Sequence, residues 1–190
     1  SVIREHSTSA VTSLYWLPIL NVSDNITDQT TDTLTRYLLC GTAEGNIILL
    51  EIDDQAIDSN SVGGPHTQGH ARKLLTKSVG SRIQCITVIT MGKDLIVAVG
   101  CEDGSISGWL IVDSRVKSGT SQESWTLSEL FLQRHAHIGG VNSLDKIDGV
   151  MNENNSLGCG LLISGGEDCR LKAWRIGQIT MSMRNENVKQ

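Results

Sequence analysis

His137, Ser164 and Asp168 are the residue types of a nucleophilic triad: a hydroxyl to attack, an imidazole to take its proton, a carboxylate to orient the ring. Their placement argues against that chemistry. Ser164 follows Leu161-Leu162-Ile163 in the body of a predicted strand, and no G-x-S-x-G elbow surrounds it. Metal binding is the second chemistry the histidines suggest. His66 and His70 lie in Gly-Pro-His-Thr-Gln-Gly-His, with His135 and His137 further on. Gly and Pro argue against the helix that would set His66 and His70 on one face. No cysteine or carboxylate cluster accompanies them, so they read as solvated loop histidines. The chain also lacks a Gly-rich phosphate loop with Lys, a zinc-ligand spacing and a nucleotide fingerprint. No catalytic residue, no cofactor, no metal and no small-molecule substrate is therefore expected.

The element that must position these side chains is a hairpin over residues 161–176. Leu161, Leu162 and Ile163 suit a buried strand, and Gly165, Gly166, Glu167 and Asp168 supply the turn. Leu171, Ala173 and either Trp174 or Ile176 then resume an apolar alternation, which would turn Arg170, Lys172 and Arg175 outward. His137 stands four residues before Val141, the expected start of another strand.

Taken together, His137, Ser164, Asp168 and Trp174 resemble the WD40 repeat: a His before the first strand, a Ser-Gly closing the second, an Asp in the next turn and a Trp ending the third. Arg175 departs from the Asp that often follows the Trp. The resemblance implies an all-β fold of β-propeller blades, each a four-stranded antiparallel sheet. It also implies a structural relay in which Asp168 accepts from His137, His137 contacts Ser164 and Ser164 accepts from the Trp174 indole. The types suit such a chain, since indole only donates, hydroxyl does both, and carboxylate only accepts. A buried polar group left without its partner costs about 1–3 kcal/mol.

Two earlier stretches carry worn versions of the pattern. Asp103 and Trp109 keep the Asp–Trp offset, while Val99 takes the Ser place and Val79 the His place. Around Gly41 the shape remains, but Cys40, Glu44 and Leu50 stand where Ser164, Asp168 and Trp174 do. Expected strands are 11–16, 47–52, 73–76, 83–89, 95–100, 105–111, 127–132, 141–147 and the two of the hairpin, with 37–46 a further strand and its turn and Ile179 to Met183 a last outer strand. Polar stretches Asn21 to Arg36, Asp53 to Ala71, Asp113 to Ser124 and Gly149 to Gly160 read as loops or insertions, and 184–190 as a fraying tail. Gly41, Gly100 and Gly165 are spaced more widely than the typical repeat of about 40–45 residues, and the insertions hold the excess. The expected units are 1–76, 77–132 and 133–183, about three blades within one partial propeller spanning 1–190. Propellers close with about four to eight blades, so three make an incomplete ring, completed by a larger propeller or by a partner chain. The chain also begins at Ser1 rather than Met, as a piece of something longer would.

Composition agrees with strands and turns. The 190 residues are 39% hydrophobic with 4% aromatic residues, 19 glycines and a mean hydropathy of -0.09, which permits a core. A net charge of -5 disfavours a general grip on nucleic acid or anionic lipid. Five cysteines (Cys40, Cys85, Cys101, Cys159 and Cys169) form no C-x-x-C pair and read as reduced thiols of a cytoplasmic or nuclear protein. No apolar run is long enough for a membrane span, and Val11 to Leu20 reads as a strand end rather than a signal core. The Asn-x-Ser/Thr triplets at Asn21, Asn25 and Asn154 then read as ordinary polar loops.

In WD40 propellers the residue before the turn Asp and those just after the His lie on the rim most used for partners. The resemblance thus implies a candidate partner-binding rim of Glu102, Glu167, Ile138 and Gly140, acidic and suited to a basic peptide; solvated turn carboxylates are the plainer reading. The expected function is a non-enzymatic scaffold mediating protein–protein interactions in a multi-subunit complex. The alternatives are a nucleic-acid or ribonucleoprotein-associated subunit, which would need a basic stripe, and a catalytic propeller.

Overall fold

Apolar runs such as Leu38-Leu39-Cys40 and Ile47-Ile48-Leu49-Leu50 contain no polar alternation, which suits strands covered on both faces. A computed structural model describes residues 9–17, 35–53, 71–91, 94–113, 125–147 and 160–176. Every regular element among them is a strand: β1 (Val11–Trp16), β2 (Thr35–Thr42), β3 (Asn46–Asp53), β4 (Ala71–Ser78), β5 (Ile83–Met91), β6 (Asp94–Cys101), β7 (Ile106–Asp113), β8 (Trp125–Gln133), β9 (Val141–Ile147), β10 (Leu161–Gly166) and β11 (Leu171–Arg175). The fold is all-β. Strands β1 to β4 form one antiparallel meander, β5 to β8 a second, and β9 to β11 a third of three described strands. A fourth strand expected at Ile179 to Met183 lies outside the described residues, as do His66, His70 and the three Asn-x-Ser/Thr triplets.

The sheets stack side by side as blades, with β1, β5 and β9 the neighbouring inner strands. Between the first two blades lie Leu39, Ile47, Leu49, Ile83, Val88, Val97 and Val99, all fully buried. Each such side chain stabilises the fold by about 1.5–3 kcal/mol relative to an exposed one. The second joint is built from Ile89, Ile96, Ala98 and Ile106 against Val141, Leu162 and Ile176. A separate cluster of Leu38, Cys40, Ile48 and Leu50 occupies the other face of the first blade.

Main chain joins the blades at their turns. Val79 N–H donates to Gly45 O at 2.8 Å, and His137 N–H donates to Gly104 O at 3.0 Å. Both glycines have left-handed φ, +77° and +78°. A Cβ on Gly104 would stand 2.3 Å from His137 O and 2.5 Å from Gly139 O, so only glycine permits this approach. Nearer the axis, Thr12 Oγ1 donates across the first joint to Ile83 O at 2.5 Å, and the Cys85 thiol across the second to Val141 O at 3.2 Å. At the outer end the Tyr37 and Trp125 rings meet at 5.3 Å, and Lys77 Nζ lies 5.2 Å from the centre of the Trp109 ring.

Three expectations are corrected. Leu171 and Ala173 do not face the core. Leu171 is 81% exposed, and it is Lys172 and Trp174 that turn toward the second blade. The cause is period two: once the indole is drawn inward, Lys172 shares its face, and its ammonium donates to Ala136 O. Second, strands run further into the polar stretches than composition suggests. Arg36 pairs with Ile52, Ile52 with Ala71 and Asp113 with Trp125, so ladder pairing carries polar residues along. Third, the outer strands are longer than 73–76 and 127–132 for the same reason.

Candidate functional site

His137 sits in the loop before β9, Ser164 in β10, Asp168 in the β10–β11 turn and Trp174 in β11. Strand pairing brings them together. Trp174 Nε1 donates to Ser164 Oγ at 2.9 Å, Ser164 Oγ lies 2.7 Å from His137 Nε2, and His137 Nδ1 lies 2.8 Å from Asp168 Oδ1. The proton order follows from what each group can do. An ionised Asp168 only accepts, so Nδ1 carries the hydrogen. The other ring nitrogen, Nε2, meets the serine hydroxyl, whose oxygen accepts from the indole.

Ser164 is fully buried and its oxygen is closed by imidazole on one side and indole on the other. An acyl group has no line of approach to it, so the triad residue types meet without a nucleophile's geometry. Asp168 Oδ1 also accepts from Arg170 N at 3.2 Å, and Oδ2 from Ile138 N at 3.2 Å. The hydrogen bond from His137, aided by these two amides, holds the Asp168 carboxyl down at about 2 despite partial burial. Glu167 adds a second clamp on the same loop. Its Oε2 accepts from Gly140 N at 3.0 Å while its own N–H donates to Gly140 O at 2.9 Å.

The second blade solves the indole differently. With Val99 fully buried in the serine place, Trp109 Nε1 donates to Ser107 Oγ at 2.9 Å, two residues back on the same strand face. Ser107 escaped the reading of the sequence, although an i−2 hydroxyl beside a buried indole is a usable signal. Asp103 does not reach Trp109; it caps its own turn, accepting from Ser105 N at 3.0 Å and Ser105 Oγ at 2.6 Å. Burial pushes its carboxyl up, but the Ser105 hydroxyl and amide with the Ser81 hydroxyl outweigh that and hold it below its ordinary value.

Of the four residues expected to form a rim, Glu102 and Glu167 are exposed and Ile138 is 79% exposed, whereas Gly140 is buried against the Gln84 amide. His135 is exposed with φ +54° and stands apart from the relay. Burial pushes the thiols of Cys40 and Cys101 up to about 11 and that of Cys85 to about 12. Cys169 is exposed, and Cys159 lies outside the described residues. Among the described residues no group of three His, Cys, Asp or Glu side chains could hold a metal ion, and no helix is long and apolar enough to cross a membrane.

No family model matches the chain. It is similar to the "Probable cytosolic iron-sulfur protein assembly protein 1" of Cryptococcus neoformans var. neoformans serotype D, in strains JEC21 and B-3501A alike. Each is 29% identical over 156 residues, which cover 74% of this chain. The chain spans about a third (33%) of the length of these curated relatives.

Proposed function

We propose that this chain is part of a WD40-type propeller, made of units 1–76, 77–132 and 133–183, that serves as a non-enzymatic scaffold for protein partners. The observation that carries the reading is the hydrogen-bonded chain Trp174–Ser164–His137–Asp168. It spends all three triad groups on pinning one loop to one turn, which makes its role structural. What it pins is the rim: Ile138 N–H and Gly140 N–H are tied to Asp168 and Glu167, so Ile138 is offered to solvent on a fixed backbone. An exposed apolar residue on a loop tied to exposed Glu167, with Glu102 a second exposed carboxylate, suits a partner segment with an apolar anchor and basic neighbours. The relatives' name places them in the cytosol and in the assembly of iron–sulfur proteins, which supports a cytosolic chain that works on or beside other proteins.

The test compares the chain with Ile138→Asp and Glu102→Lys variants, purified in association with its native partners. A defined set of proteins that co-elutes in fixed ratio with the unaltered chain, and is lost from both variants at unchanged melting temperature, is the expected result. Partners retained by both variants would refute the rim, and substrate turnover abolished by changing one polar residue would refute the scaffold.

A further inference from the structure

The two joints between the blades pair matching positions but do not close alike away from the inner strands. On the first blade Leu49, paired with Leu39 and Leu75, is fully buried in the first joint. Gly108 holds that place on the second blade, between Ala98 and Phe131. The Phe131 ring lies against the bare main chain, where even a Cβ would not fit. Lys77 differs from its counterpart too. It pairs with Ile47 and sets its ammonium 5.2 Å from the centre of the Trp109 ring, across the first joint. Gln133 pairs with Ile106 in the matching place, but its amide turns aside and donates to Arg134 O at 3.1 Å. Trp109 is 4% exposed, whereas its counterpart Trp174 is only half-buried.

A cleft of about 250 Å³ results between β8 and β11, lined by Ile106, Phe131, Trp174 and Ile176 together with Gln133 and Arg175. Sites that enclose a whole small molecule run to about 300–1,000 Å³, so this volume suits one large apolar side chain better. Among the described residues no acid lines it. Its one charged residue, Arg175, stands where the repeat pattern often has Asp.

Cations gather beside Gln133. Arg134 and His135 are exposed in the turn after β8, and the Lys172 ammonium donates to Ala136 O of the same turn. An ammonium has three hydrogens, so Lys172 keeps two for another acceptor. Arg170 is exposed two residues before Lys172. The neighbouring carboxylates are engaged: Asp168 accepts from His137 and Arg170 N, and Glu167 from Gly140 N. On a chain of net charge -5 this is a local cationic corner. We propose that cleft and corner together seat an acidic segment of a partner protein, whose large apolar side chain enters between β8 and β11 while flanking Asp or Glu residues meet Arg134, Arg170 and Lys172. The apolar anchor supplies affinity and the carboxylates supply selectivity. The proposal stands on the second joint and not on the rim reading.

The test titrates the ¹⁵N-labelled 190-residue chain with three blocked peptides: Ac-Asp-Asp-Phe-Asp-Asp-NH2, its Phe→Ala analogue, and the same peptide with Lys for every Asp. The acidic Phe peptide is expected to shift the Trp174 indole N–H and the amides of residues 134–136 and 170–172. It should bind at least tenfold more tightly than either control, and more weakly as salt is raised. Arg134→Glu is expected to weaken it at least tenfold at unchanged melting temperature, while Ile138→Asp leaves it unaltered. A Trp174 indole that does not move would show a closed cleft, whatever closes it, and would overturn the proposal. So would equal binding of the Phe and Ala peptides, equal binding of the acidic and basic ones, or binding that survives Arg134→Glu. Shifts that grow with the chain's own concentration, with a dimer in sedimentation, would assign the cleft to a second copy and overturn it too.

Discussion

Replacing Ser164 by Ala removes the centre of the polar chain and nothing else. His137 Nε2 then loses its hydroxyl partner in a site where the residue is 2% exposed, and Trp174 Nε1 loses its acceptor. Orphaning the imidazole nitrogen costs about 1–3 kcal/mol, and the half-buried indole N–H about 1 kcal/mol more, giving about 2–4 kcal/mol in all. For a chain of this length that is a fall in melting temperature of about 4–16 °C. The second blade supplies a rescue. Lys172 occupies the place of Ser107, so Lys172→Ser sets a hydroxyl two residues before the indole, as Ser107 precedes Trp109. Urea unfolding of wild type, both single variants and the double variant forms a cycle whose coupling is expected to favour the double variant by about 1 kcal/mol, the Trp half of the loss. A Ser164→Ala loss below about 0.5 kcal/mol, within the scatter of ordinary surface changes, would show that the relay does not hold the turn. Coupling near zero would show that the indole gains nothing from a hydroxyl at either place.

Gly104→Ala and Gly80→Ala share a left-handed φ but not their surroundings: a Cβ on Gly104 meets main chain, one on Gly80 meets nothing within 4 Å. The second should cost about 1 kcal/mol of backbone strain and the first well over that, with faster amide exchange at His137; equal losses would refute the joint. Because the folded Asp168 carboxyl titrates at about 2, below its unfolded value near 4, its stabilisation is complete above about pH 4 and disappears as pH falls to about 2. Asp168→Asn should therefore unfold more readily than wild type at pH 5 and match it near pH 2; a gap that does not close would contradict the assignment. With thiols raised to about 11–12, Cys40, Cys85 and Cys101 should resist a thiol reagent at pH 8 while Cys169 reacts. Fast modification of Cys85 in the folded chain would count against the second joint.

What the sequence determined by itself was local or repetitive. Turn glycines, apolar runs and period-two patterns are properties of neighbouring residues, so the hairpins over 37–52, 95–111 and 161–176 were legible, with their order. The four residue types of the relay were legible through their offsets. Their meeting was not, because His137 and Asp168 are joined only when β9 pairs with β10. Tertiary structure alone decided which face of each strand is buried. Leu171 and Ala173 read as core by their side chains, yet the direction of Trp174 in β11 sends them outward. It likewise decided where pairing carries strands into polar segments, how Ser107 replaces a missing relay, and why Gly104 must be glycine. In each case the deciding contact comes from a different strand or blade, and burial by a distant partner leaves no mark in the local pattern.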